Sequence, residues 1–173
     1  MAPLVRRTLA PRGCTPVLRQ RARHRDKVSI SAALSLSPGR HRLSLFFRSY
    51  PQQYIKSERS AEFVRSLLRH LRGQVIIVWD GGTMHKGEPI RELLRRFPRL
   101  WLERLPPYAP QLNPVEPLWK HLKYDRMANF APEDVAQLDK VINAHLNEIH
   151  RKPDRLHSFY QSSDLPIPRR AGT

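Results

Sequence analysis

Two carboxylates stand out by position. Asp80 directly follows the apolar run Val75-Ile76-Ile77-Val78-Trp79 and is itself followed by Gly81-Gly82. An acid at the carboxyl end of a strand stands where the loops of an α/β sheet converge on a crevice. Two glycines after it remove side-chain bulk, so a phosphate or a metal ion can come close. Glu116 lies 36 residues on, at the start of a helical pattern formed by Val115, Leu118, Trp119 and Leu122. Each acid also has an ordinary reading. Asp-Gly is a common turn pair. Asn113 followed three residues later by Glu116 has the spacing of a capping box, with Pro114 suited to the first helical position. Pro117 falls in the first turn, where backbone N–H groups have no helical acceptor, so it need not break the helix. Held rigidly together, two such acids could serve phosphodiester cleavage. That reaction needs an activated water and a stabilised leaving oxygen, and two hard cations about 4 Å apart supply both. Mg²⁺ keeps waters and takes phosphate oxygens, so a few carboxylates suffice as its protein donors. Two acids alone do not single out this chemistry.

The elements that must position them can be read from hydrophobic period. Residues 28–36 alternate, with Val28, Ile30, Ala32, Leu34 and Leu36 on one face, which predicts a half-buried strand. Ser37-Pro38-Gly39 turns the chain, and residues 43–48 resume the alternation, so a hairpin is expected. Residues 58–72 switch to helical spacing with Phe63, Val64, Leu67, Leu68 and Leu71 on one face, and Gly73 ends that helix. The continuous apolar run 75–79 predicts a central strand buried on both faces. A helix from Pro89 places Ile90, Leu93, Leu94 and Phe97 together; residues 100–105 predict a short strand. The stiff loop Pro106–Pro114 leads into the helix of Glu116. A last helix is expected over roughly 133–149, and the tail from 161 to 173 is expected to be disordered. Residues 1–27 read as a basic extended or hairpin segment, with Pro11-Arg12-Gly13 as its turn, and 28–160 as one core domain. The element order argues for a mixed α/β sheet covered by helices.

Composition narrows the partner. Lys and Arg total 31 against 15 Asp and Glu, a formal net charge of +16. That excess favours a polyanion, nucleic acid foremost, with Arg19, Arg21, Arg23, Arg25, Lys120 and Lys123 as candidate phosphate contacts. The single cysteine, Cys14, excludes an internal disulfide framework and reads as a bystander. The eight histidines show no zinc-ligand spacing with cysteine. No apolar run approaches the roughly 18 residues of a membrane span, and no small-molecule pocket motif is evident.

The text between the two acids is specific. Residues 75 to 123, VIIVWDGGTMHKGEPIRELLRRFPRLWLERLPPYAPQLNPVEPLWKHLK, resemble the C-terminal half of the catalytic domain of mariner-related bacterial insertion-sequence transposases of the DDE type. Three pieces carry the resemblance: a strand ending in an acid followed by a Gly-Gly turn and His85-Lys86; the run LPPYAPQLNPVEPLWKHLK; and the thirty-some residues between the acids. The upstream run APRGCTPVLRQRARHRDKVSISAALS is similar to the same family, so the likeness covers roughly residues 3 to 160.

The resemblance implies an RNase H-like mixed sheet flanked by helices. It implies that Asp80 and Glu116 are the second and third metal-binding acids, with His85 and Lys86 near the DNA phosphates or merely in the loop. It implies Mg²⁺ as cofactor, with Mn²⁺ as a substitute. The implied partners are the transposon ends, target DNA and a second copy of the chain, in the cytoplasm of a bacterium at the nucleoid. The implied activity is nicking at an element end and joining of the freed 3′-hydroxyl to target DNA. The family's first acid lies on a central strand just upstream of the matched segment. Before Asp80 the only acids here are Asp26, Glu58 and Glu62, none of which matches it. The expectation is therefore a core lacking its first strand and inactive alone. A catalytically silent DNA-binding remnant and a different RNase H-like nuclease are the alternatives.

Overall fold

The computed structural model describes residue 7, residues 10–14, residue 17, residues 27–39 and residues 42–165. Arg19, Arg21, Arg23 and Arg25 lie outside the described residues, as do positions 166–173 of the tail.

The alternating segments form an antiparallel hairpin of β1 (Val28–Leu36) and β2 (Leu43–Pro51), in the register Leu36↔Leu43, Leu34↔Leu45 and Ala32↔Phe47. The turn closes with the Ser37 N–H donating to Arg42 O at 3.0 Å and the Arg42 N–H donating to Ser37 Oγ at 3.2 Å. All five apolar residues predicted on one face of β1 pack against a core cluster with Leu43 and Leu45. Helices α3 (Val115–Lys120), α4 (Val135–His150) and α5 (Pro153–Gln161) complete that cluster through Leu118, Leu138, Ile142, Leu146, Ile149, Leu156 and Phe159. Asp134 caps α4 by accepting from the Gln137 N–H at 2.7 Å, and Asn143 Nδ2 donates to Ser49 Oγ of β2 at 3.0 Å. Helix α5 was not expected from the sequence. Its apolar content is spread over Leu156 and Phe159 in nine residues, too few to establish a period.

The second sheet pairs β3 (Val75–Trp79) with β4 (Leu100–Arg104) in parallel, from Val75↔Leu100 to Trp79↔Arg104. Helices α1 (Ser57–His70) and α2 (Glu88–Arg96) cover one face of it, with Ala61, Val64, Leu68, Ile90 and Leu93 against Val75, Trp79 and Leu100. Among the described residues the four strands make two two-stranded ladders rather than one continuous sheet. Helix α1 also reaches the hairpin: His70 lies 5.9 Å, ring to ring, from Phe46, and the Arg59 guanidinium lies 5.8 Å from the Tyr50 ring.

The expectation that β3 is buried on both faces is corrected. Ile76 is 66% exposed and Val78 49%, beside Trp101 at 61%. A continuous apolar strand has both faces covered when helices lie on both; here α4 and α5 sit on the β1–β2 face and leave this one open. Leu94, expected on the apolar face of α2, is likewise exposed.

Two contacts fix the direction of the layer. Arg99, just before β4, donates through Nη1 to Leu71 O and Gly73 O, both at 2.8 Å, and through Nη2 to Leu68 O. These carbonyls at the carboxyl end of α1 have no helical donor, so the guanidinium acts as their cap. At the other end, a side chain added at Gly87 would meet Ser57 at 3.7 Å, which puts the starts of α1 and α2 together. Both helices therefore run antiparallel to β3 and β4, and Asp80 emerges at the pole where the helices begin. Replacing Arg99 with Met is expected to lower stability by roughly 2 kcal/mol, since charged donors to carbonyls are worth more than neutral ones. A urea titration checks this: the midpoint falls while the slope is unchanged.

Candidate metal and phosphate site

Asp80 sits one residue beyond β3, and its side chain is 60% exposed. The chain turns sharply after it, so that the Gly82 N–H donates to Asp80 Oδ1 at 2.9 Å. A side chain at Gly82 would meet that same oxygen at 2.9 Å and Met84 Sδ at 2.5 Å, whereas Gly81 faces open space. The two glycines thus do different work. Gly82 lets the Asp80 carboxylate fold onto the backbone, and Gly81 leaves its approach clear.

Residues Thr83–His85 form a single 3-10 turn closed by the Lys86 N–H donating to Thr83 O at 3.2 Å. That turn brings the His85 ring onto Trp79, stacked at 4.3 Å between centroids and 19° between planes. His85 Nε2 lies 3.5 Å from Asp80 Oδ1. Burial pushes the imidazole below its ordinary pKa, and the Asp80 charge opposes the shift. Burial, the larger of the two effects, thus favours the uncharged ring. His85 Nδ1 has no hydrogen-bond partner among the described residues. Lys86 is exposed next to this turn.

Glu116 is the second residue of α3 and is partly buried. Asn113 does cap this helix, but through the Val115 N–H, which donates to Asn113 Oδ1 at 3.1 Å; the Glu116 N–H donates to Asn113 O at 3.0 Å. The reciprocal half of the expected capping box is absent: the Glu116 carboxylate makes no hydrogen bond or ion pair with another described residue. The helix continues from α3 into a six-residue π-helical turn, His121–Arg126. Lys120 is exposed on α3, and Lys123 lies 5.4 Å from the Tyr124 ring.

The structure thus brings Asp80, Gly82, His85 and Trp79 together. Glu116 is joined to them through β4 and the proline loop, with no direct contact among the described residues. That loop starts at the same pole, because the Leu105 N–H donates to Trp79 O at 2.8 Å and extends the β3–β4 ladder by one rung. Arg104, opposite Trp79 in that ladder and exposed, is a cation near Asp80 that hydrophobic period could not reveal. Among the described residues no group of three or more His, Cys, Asp or Glu side chains is placed to hold a metal ion, and no helix is long and apolar enough to cross a membrane.

The fold is shared with solved transposase structures. The Mos1 transposase paired-end complex with the left transposon end aligns over 94% of this chain and 52% of its own, at 14% identity and a TM-score of 0.54. The Mos1 mariner paired-end complex with Mn aligns over 95% and 52%, at 16% identity and a TM-score of 0.54. The Mos1 strand transfer complex aligns over 95% and 51%, at 15% identity and a TM-score of 0.51. The chain therefore spans about half the length of these structures. No curated protein sequence matches it. These likenesses define an RNase H-like α/β fold, as the sequence resemblance implied. The chain belongs to the family described as DDE superfamily endonuclease, whose profile matches residues 2–139.

The stack on Trp79 gives a direct test of the loop geometry. His85→Ala is expected to uncover one face of Trp79, shifting tryptophan emission to longer wavelength and lowering stability by about 1 kcal/mol. Unchanged emission would mean that the ring does not lie there.

Proposed function

We propose that this chain is the divalent-metal-binding part of a DNA-cutting and strand-joining transposase, with Asp80 and Glu116 as metal ligands and DNA as substrate. The observation that carries the reading is the state of the two acids within a DDE endonuclease chain. Among the described residues neither carboxylate is neutralised by a lysine or arginine, in a protein whose formal charge is +16. Asp80 Oδ1 accepts one backbone N–H and Oδ2 has no partner among the described residues. Unpaired carboxylate oxygens suit a hard cation such as Mg²⁺, with Mn²⁺ as a substitute.

The chemistry that bound cations supply is activation of a water or a 3′-hydroxyl and neutralisation of charge on the leaving oxygen. The rest falls to the chain's own residues. The Gly82 N–H and the His85 ring restrict rotation of the Asp80 carboxylate, so one oxygen stays directed outward. Glu116, on the first turn of α3, is anchored by the capping of that helix and the burial of Leu118. His85, whose burial disfavours its charged form, stands with Nε2 3.5 Å from Asp80 Oδ1 without acting as a strong cationic competitor for the carboxylate. Arg104, Lys86 and Lys120 are exposed and can hold phosphates, whose contribution to affinity weakens as salt rises.

Calorimetric titration with Mn²⁺ tests the assignment. Asp80→Asn and Glu116→Gln are each expected to weaken Mn²⁺ binding by about tenfold or more, while both keep wild-type DNA affinity in EDTA. Wild-type Mn²⁺ affinity in both variants would remove them from the metal site. Gly82→Ala is expected to weaken Mn²⁺ binding with little change in melting temperature, because the new methyl displaces the carboxylate and a flexible Met84 rather than backbone. Gly81→Ala is expected to leave both unchanged. With only two acids among the described residues assigned to the site, the chain by itself is expected to give no Mg²⁺-dependent nicking above background.

A further inference from the structure

The geometry points to a second binding element at the Asp80 pole, and we propose that the Tyr108 ring stacks on an unpaired nucleobase of the DNA. The inference rests on the DNA reading above and adds a contact to it. Tyr108 lies within the stiff loop Pro106–Pro114, and its side chain is 102% exposed and packs on no described residue. Its φ is +57°, in the left-handed region that residues other than glycine enter only at a cost in free energy. Gln52 and Asn129 share a positive φ, but Tyr108 is the only aromatic residue among the three.

The surroundings hold this conformation in place. On one side the Leu105 N–H donates to Trp79 O at 2.8 Å. On the other, the Leu112 N–H donates to Ala109 O at 3.1 Å and the Asn113 N–H to Pro110 O at 3.0 Å. The Asp164 N–H, beyond α5, donates to Gln111 O at 2.9 Å and ties the loop to the helical layer. Pro106, Pro107 and Pro110 remove further freedom. A loop pinned at both ends and stiffened between them presents one aromatic ring to solvent in a strained conformation.

A single exposed aromatic residue is unremarkable on its own. Here the loop spans the interval between the two carboxylates, leaving β4 beside Asp80 and ending at the helix of Glu116. A ring ordered in advance loses little freedom on binding, which favours a rigid aromatic as a contact. Every base has a π-face, so stacking suits an enzyme part that must grip DNA of varied sequence. Bases inside a duplex are already stacked on their neighbours. The ligand is therefore a base left unpaired at a strand end, with the exposed Arg104 and Lys86 available to the flanking phosphates.

The test uses the full chain in EDTA with two DNA probes. One is a covalently closed double-stranded circle with no strand end; the other is a linear duplex of the same sequence with a short single-stranded 3′ overhang carrying 2-aminopurine. Tyr108→Ala is expected to lower affinity for the overhang probe by about tenfold, the order of one base–aromatic stack, and to abolish quenching of 2-aminopurine. It is expected to leave affinity for the closed duplex unchanged. Tyr108→Phe keeps the ring and is expected to match the wild type on both probes. Wild-type affinity and quenching in Tyr108→Ala would overturn the proposal. So would an equal loss on both probes, or a loss in Tyr108→Phe as large as in Tyr108→Ala. Binding of neither probe by the wild-type chain at low salt would remove the DNA reading itself, a result distinct from binding that ignores Tyr108.

Discussion

The parallel pairing of β3 with β4 is the constraint on which the candidate site depends. A parallel ladder places the carboxyl ends of both strands at one pole, and its last rung, from the Leu105 N–H to Trp79 O, carries the pairing past the strands themselves. Asp80 leaves from one strand there, and the loop toward Glu116 leaves from the other. An antiparallel pair would put these two departures at opposite ends. The cap by Arg99 on the last carbonyls of α1 works at the far pole. It holds the helix in the direction that lets its start meet the loop after Asp80.

Around that ladder the core is divided. The hairpin packs its apolar face, even-numbered on β1 and odd-numbered on β2 through Leu43, Leu45 and Phe47, on α3, α4 and α5, and the β3–β4 pair packs on α1 and α2. Helix α1 touches both sheets, through Ala61, Val64 and Leu68 on one side and through His70 and Arg59 near Phe46 and Tyr50 on the other. Each two-stranded sheet would be marginal by itself, so the shared helix gives the carboxylate-bearing strand a fixed relation to the hairpin. The uncovered face at Ile76, Val78 and Trp101 shows where that packing stops.

Much of this was legible in the sequence for a simple reason: one-sided burial writes a period into the chain. The alternation of Val28 through Leu36 gave the strand and the face it buries, and the helical spacing of Val135 through Ile149 gave α4. The continuous run Val75–Trp79 gave the strand but misjudged its cover, because an apolar residue records what the chain tolerates, not which helix reaches it. Asp80 and Glu116 were located by their places at element ends, and the family resemblance gave them roles. What escaped was set by tertiary approach: the guanidinium of Arg99 under α1, the His85 ring on Trp79, the exposed Arg104, and the outward turn at Tyr108. None of these leaves a periodic trace. The capping-box spacing at Asn113 and Glu116 was half right, since the backbone took the Asn cap and left the acid unpaired.

The central claim is that Asp80 and Glu116 share a metal site. The most direct measurement is the anomalous scattering of a crystal of this protein soaked in Mn²⁺. The account predicts density bound by oxygens of both carboxylates, either on one ion or on two ions about 4 Å apart. Mn²⁺ bound at Asp80 with Glu116 turned elsewhere, or bound at neither acid, would contradict it.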